Sequence, residues 1–267
     1  MPPNLATPPF QRVLSTAGIH NFRDYGGYAV GGAGSMRKGV LFRSGEHAHA
    51  TDADLALVDQ LGVTSIFDLR GKGEREQAPC RRSPRFAAQI YCADGETAQS
   101  APHAQAATAI DGAAARETMC RRYAEVPYRP YLTDVYRDAF RVLSTTSGPT
   151  LMYCTAGKDR TGILAALIQT ALGVHPDDVM ADYLLTNTVG DAEARVEALR
   201  KDLQRRFGAG ITEEAIRVVT SVEPAFLASA FASIRERSGS LDAYLQQEMR
   251  LPPAARAGML ERLVAPN

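Results

Sequence analysis

The ten residues Tyr153-Cys154-Thr155-Ala156-Gly157-Lys158-Asp159-Arg160-Thr161-Gly162 constrain this 267-residue chain more than any other segment. Thr150-Leu151-Met152-Tyr153 reads as a buried strand, and Ile163-Leu164-Ala165-Ala166-Leu167-Ile168 begins a strongly apolar helix that should end at Gly173. A strand therefore ends at a cysteine, and the arginine six positions on opens a helix. Between a strand end and a helix N-terminus, successive backbone N–H groups can curl inward, and the helix dipole adds positive potential there. An arginine at the helix start offers a planar fork matched to two oxygens of a phosphate. A cysteine at the bottom of such a bowl is expected to carry a stabilised thiolate. The segment thus reads as a phosphate cradle with a nucleophile beneath it, suited to a cysteinyl-phosphate intermediate. The plainer alternative is a buried strand-end cysteine. A nucleotide-binding Gly-x-x-x-x-Gly-Lys-Ser/Thr loop does not fit, because Met152 and Asp159 stand where it needs Gly and Ser or Thr.

The rest of the chain reads as α/β. Residues 1–10 hold four prolines and suit a tail or strap. Val40-Leu41-Phe42 reads as a short strand. Thr51 should cap a helix with Asp52 and Asp54 in its first turn, an apolar stripe of Leu55, Val58 and Leu61, and Gly62 at its end. Residues 63–69 form a β-branched core strand, 71–85 a charged loop or frayed helix, and 86–91 another strand. Alanine dominates residues 93–118, and the stretch 93–127 reads as an inserted helical lid or a plain surface excursion. Helices are expected over about 128–143, 176–187, 191–206, 212–220, 223–237, 240–249 and 253–263. The whole, 1–267, reads as one domain: a central, mostly parallel sheet flanked by helices, with a helical C-terminal half.

Composition narrows the function. Lys+Arg and Asp+Glu are 30 each, so no global basic field drives nucleic-acid binding. No stretch approaches the apolar length of a membrane helix, and MPPNLATPPF lacks the features of a secretory signal. The four cysteines form no C-x-x-C pair, which suggests a cytoplasmic protein with free thiols. His47-x-His49 lacks a third ligand at metal spacing and reads as a surface pair. Neither a metal nor a cofactor is expected.

Cys154 to Gly162 resembles the signature of the cysteine-dependent phosphatases, His-Cys-x5-Arg-Ser/Thr. Its Ala-Gly-Lys-Asp-Arg-Thr-Gly form is similar to that of the bacterial atypical tyrosine-protein phosphatases, which include dual-specificity and phosphoinositide-active members. NFRDYGGY, VLFRSGE, GVTSIFDLRGKGERE and SLDAYL look like further segments of that family, so the resemblance spans most of the chain. It implies Cys154 as nucleophile and Arg160 as ligand of the phosphoryl oxygens. Thr155, Ala156, Gly157 and Lys158 would line the cradle for the substrate, or for a phosphate- or sulfate-like anion. Thr161 would hydrogen-bond the thiolate. Lys158 would add rim charge suited to a second phosphate on an inositol ring, or stand as a solvated lysine. Asp159 is the first candidate for general acid and Asp68 the second, with pairing to Arg70 as the structural alternative for Asp68. Asp134 and Asp138 read as a solvated helix face, as does the Arg121-Arg122 pair.

Two features qualify the transfer. The family has His where this chain has Tyr153, which should shift the thiolate and lower activity. Arg43, Arg70 and Arg75 would rim the pocket or act in caps and surface pairs, and Cys80 or Cys92 is a candidate disulfide partner of Cys154. The implied substrates are phosphotyrosine proteins, with phosphoserine/threonine in addition. The alternatives are a phosphoinositide or inositol phosphate phosphatase and a phosphate-binding pseudophosphatase. A rhodanese-like sulfur-transfer loop would use Cys154 but leave Arg160 and Thr161 unexplained.

Overall fold

The structure is a computed structural model. It describes residues 12–97, 111–146, 148–189, 193, 196, 197, 200, 201 and 212–266. The proline-rich start, most of the expected 191–206 helix and residues 98–110 of the alanine-rich stretch lie outside the described residues.

The strands are β1 (Arg23–Asp24), β2 (Ala29–Val30), β3 (Gly34–Met36), β4 (Leu41–Ser44), β5 (Ser65–Asp68), β6 (Gln89–Cys92), β7 (Thr150–Tyr153) and β8 (Val264–Ala265). A five-stranded sheet has the order β1-β4-β7-β5-β6. Its inner pairs β4–β7, β7–β5 and β5–β6 are parallel, and only the edge strand β1 runs antiparallel. β2, β3 and β8 form a small antiparallel sheet that holds the C-terminal end of the described chain. β4, β5 and β7 are buried at every position, as expected of central parallel strands covered on both faces.

The helices are α1 (Asp52–Gln60), α2 (Lys72–Gln77), α3 (Gly112–Glu125), α4 (Pro130–Thr145), α5 (Asp159–Leu172), α6 (Pro176–Leu184), α7 (Glu213–Thr220), α8 (Pro224–Ser238), α9 (Leu241–Gln247) and α10 (Pro253–Leu263). Thr51 caps α1 as its sequence predicts, in a reciprocal capping box with Asp54. The charged 71–85 stretch contains a short true helix, α2, because Glu74 closes back onto the Gly71 N–H at 2.8 Å. Of the alanine-rich stretch, the described helix α3 packs into the core, with Met119 and Tyr123 buried. Among the described residues no single helix is long and apolar enough to cross a membrane.

Side chains alternate across β7, and this divides the core. Met152 and Cys154 join the larger apolar cluster with α3–α6 and α8, whereas Leu151 and Tyr153 join a smaller cluster under α1 with Phe22, Phe42 and Ile66. Cys154 therefore emerges from the C-terminal end of a central parallel strand, where an open α/β sheet places its ligand sites.

Candidate active site

Two carbonyls of the loop after β7 are held by other parts of the fold. The Glu46 N–H donates to the Thr155 carbonyl at 3.1 Å. Asn21 Nδ2 and an Arg43 nitrogen donate to the Gly157 carbonyl at 2.8 and 3.2 Å. Among the described residues, no protein acceptor takes the N–H groups of Thr155, Ala156, Gly157 or Lys158. A loop with alternate carbonyls held away and its amides uncommitted is an anion nest. Gly157 makes this turn possible, with φ +68° and a β-carbon position only 2.3 Å from the Ser44 carbonyl.

The brace is itself anchored. Arg43 donates to Asp182 Oδ2 at 2.8 Å, and Arg23 reaches Asp182 Oδ1 at 3.4 Å, the Asp182 carbonyl at 3.0 Å and Asn21 Oδ1. All four residues are at most 1% exposed. Burial and the neighbouring Arg43 charge lower the Arg23 pKa to about 9, and Asp182 opposes them. Removing one partner of such a buried set costs about 3–5 kcal/mol. Arg43 thus props the loop from behind and is not rim charge.

Arg160 is 2% exposed at the start of α5. Its two terminal nitrogens meet both oxygens of Glu74, at 2.5 and 2.7 Å. One of them also donates to Thr97 Oγ1 at 2.9 Å and the Leu69 carbonyl at 3.2 Å. The Thr155 hydroxyl donates to Glu74 Oε1 at 2.6 Å. The Arg160 Nε–H is buried with no protein partner. Glu74 therefore fixes the plane of the guanidinium by its outer nitrogens, and the Nε–H is left without a protein acceptor. Burial would raise the Glu74 pKa, but the Arg160 hydrogen bonds and charge, joined by Thr155 and the Gly71 N–H, hold it down at about 2.

Glu74→Gln should lower kcat by about 10- to 100-fold, the scale of losing orientation at a reacting centre. The folded pKa lies below the ordinary glutamate value of 4.5. The pair's stability is therefore fully present above that value and lost as pH falls toward about 2. A denaturation series from neutral to acid pH should show a shallower acid loss in the variant.

Asp159 is 7% exposed. Its Oδ1 accepts from the Tyr123 hydroxyl at 2.5 Å and lies 3.2 Å from Lys158 Nζ. Thr161 is fully buried, and its hydroxyl has no hydrogen-bond partner, so the expected bond to the Cys154 sulfur is not made. Cys154 itself is 2% exposed and is a free thiol.

Several sequence expectations are corrected. Lys158 is neither rim charge nor solvated: it is 3% exposed and donates to the Val219 and Ser221 carbonyls at 2.7 and 3.0 Å, at the C-terminal end of α7. Carbonyls at a helix end are a favourable site for a cation. Asp68 takes its structural alternative, accepting from Arg70 Nε at 2.9 Å and a terminal nitrogen at 2.7 Å. The two side chains are thereby paired with each other. Arg75 is likewise spent, on the carbonyls of Arg70 and Ala93. Arg122 of the supposedly solvated basic pair is 8% exposed, within α3's packing, whereas Asp134 and Asp138 pair with neighbouring arginines on an exposed face as expected.

Tyr153 does not reach the thiolate, because strand alternation turns it to the opposite face of the sheet. Its ring stacks on His47 with centroids 5.2 Å apart, and its hydroxyl accepts from Arg82 at 2.5 Å. His47 is therefore no surface residue: burial, then Arg82 and Arg70, lower its pKa to about 3. Among the described residues no cluster of three metal-ligating side chains occurs. Cys80 packs beside that smaller cluster, across the sheet from Cys154, and Cys80, Cys92 and Cys154 are all free.

Residues 14–265 match the sequence profile of the tyrosine phosphatase family. The chain belongs to the tyrosine phosphatase family. This phosphatase is 33% identical over 248 residues to a Cupriavidus necator protein named "Putative tyrosine-protein phosphatase", covering 90% of this chain and 85% of that one. It is 31% identical over 263 residues to the triple specificity protein phosphatase PtpB of Mycobacterium tuberculosis, covering 88% and 93%. A tyrosine-protein phosphatase of Nostoc commune is 25% identical over 214 residues, covering 78% and 68%. The chain is a cysteine-dependent phosphatase, and the anion nest after β7 is where its family signature lies.

Sequence reasoning missed Glu74, Asn21, Asp182 and Tyr123. Glu74 stands three residues after Gly71, a capping-box spacing that signalled a helix turning toward the site. Arg23 and Arg43 sit among buried strand residues, which signals a buried anion to match them.

Proposed function

We propose that this phosphatase hydrolyses phosphotyrosine in proteins, and phosphoserine and phosphothreonine more slowly, through phospho-Cys154. The observation that carries the reading is the loop itself. Its carbonyls are pinned away by Glu46, Asn21 and Arg43, and Arg160 keeps its Nε–H uncommitted beside it. Such preorganised donors stabilise the charge on phosphoryl oxygens in the transition state without reorganisation. In the first step the Cys154 sulfur bonds to phosphorus, the ester P–O bond breaks, and the leaving oxygen takes a proton from Asp159. In the second, water attacks phosphorus, the S–P bond breaks, and Asp159 takes the proton back.

The name of the PtpB relative supports breadth among substrates. The phosphoinositide alternative rested on Lys158 as rim charge, and Lys158 is committed to the end of α7. The pseudophosphatase alternative rested on Tyr153, whose side chain lies across the sheet from the sulfur.

Hydrolysis rates for phosphotyrosine peptide, phosphoserine peptide and a phosphoinositide panel test the assignment. The expected order of kcat/KM is phosphotyrosine, then phosphoserine, then phosphoinositides. A phosphoinositide turned over fastest would overturn it.

A further inference from the structure

The acid–base role of Asp159 leaves two buried hydroxyls unused. The Tyr123 hydroxyl of α3 donates to Asp159 Oδ1 at 2.5 Å, and the Tyr183 hydroxyl of α6 donates to the Tyr123 oxygen at 2.8 Å. Each residue is 1% exposed, and the rings meet edge-on with centroids 6.3 Å apart. Gly162 of the signature makes room for this pair: a β-carbon there would stand 3.0 Å from the Tyr183 ring. Buried hydroxyls are retained at a cost unless they are hydrogen-bonded, and this chain of donors runs to a single end, the Asp159 carboxyl.

Both phenols remain donors at any working pH. Burial first, then the Asp159 charge, pushes each well above the ordinary tyrosine value. Lys158 Nζ lies 3.2 Å from the same Oδ1. A carboxylic acid whose one oxygen accepts such buried donors carries its proton on the other. A flip of the Asp159 carboxyl would break both contacts.

We propose that Tyr123 is a positioning residue for Asp159, with Tyr183 behind it, so that the proton transferred in both steps is carried by Oδ2. The tyrosines exchange no proton; they fix which oxygen of Asp159 does. This rests on Asp159 as the general acid.

Among the described residues, the groups facing Asp159 include Lys158 and Arg160 from its own stretch, Tyr123 and Arg122 from α3, and Tyr183 from α6. Removing one donor to the carboxylate favours its protonated form. The alkaline limb of kcat, where the acid is lost, should therefore move to higher pH in Tyr123→Phe. Phosphoserine has a poor leaving group that needs the proton, whereas p-nitrophenyl phosphate does not. In Tyr123→Phe, kcat/KM on phosphoserine peptide, which reads the first step alone, should fall about tenfold, a fraction of the 10²–10⁴ that acid–base catalysis supplies. On p-nitrophenyl phosphate the loss in kcat/KM should stay under about threefold. Tyr183→Phe should show the same pattern more weakly, and both Phe variants keep the ring packing.

Asp159→Asn serves as the reference: it should erase the limb and show the largest leaving-group bias. If Asp159→Asn behaves so while both Phe variants keep the wild-type limb and lose equally on the two substrates, the positioning role is wrong. If Asp159→Asn itself shows no leaving-group bias, the acid assignment fails and the positioning role falls with it.

Discussion

Cys154→Ser should abolish ester hydrolysis, with kcat down by about 10⁴-fold or more, on the scale seen when a covalent nucleophile is removed. Serine is nearly isosteric, so the 2%-exposed site should still fold and still bind phosphotyrosine peptide. What it lacks is the nucleophilic sulfur. A serine nucleophile needs an adjacent base matched to its high pKa, and His47 cannot serve: it lies across the sheet beside Tyr153. Turnover, thermal midpoint and peptide affinity of the variant check this together. Residual activity within tenfold of wild type, at an unchanged thermal midpoint, would place the nucleophile elsewhere.

Arg160→Lys should cost nearly as much. An arginine acting on a transferring phosphoryl group is worth about 10³–10⁵ in rate, and lysine cannot reproduce a planar fork. Here both outer nitrogens are taken by Glu74, and the buried Nε–H has no protein partner. A lysine has one nitrogen for Glu74 and phosphate together. We expect kcat/KM to fall by about 10³-fold or more, with KM rising as well, because Arg160 also holds ground-state phosphate. A double-mutant cycle adds a sharper test. If Glu74 acts only by orienting Arg160, Glu74→Gln should cost little further on the Arg160→Lys background. Full additivity would give Glu74 an independent role.

The parts of the site that were legible in the sequence are those encoded over a few residues. Strand, cysteine, glycine turn, arginine and helix follow one another from Thr150 to Leu172, and each is dictated by local propensity. The α1 cap and the parallel strands β4, β5, β6 and β7 were legible for the same reason, whereas the two- and three-residue strands β1, β2, β3 and β8 are too short to carry a pattern. What escaped was direction and partnership across the fold. Lys158 looked like rim charge because nothing near it in sequence predicts that the carbonyls of Val219 and Ser221 meet it. Glu74 and Tyr123 reach the loop from far along the chain, and only tertiary packing brings them there. Tyr153 is different, because its direction was readable in principle. Adjacent residues of a strand face opposite sides, so a residue beside the nucleophile points away from it.

The central claim is that phosphate leaves its ester onto the sulfur of Cys154. Rapid acid quench during turnover of phosphotyrosine substrate, followed by peptide mapping, tests it most directly. The account predicts a phosphoryl group on the peptide that contains Cys154, formed within the first turnover and absent in Cys154→Ser. Sustained turnover with no phosphorylated Cys154 peptide, or phosphorylation of another residue, would contradict it.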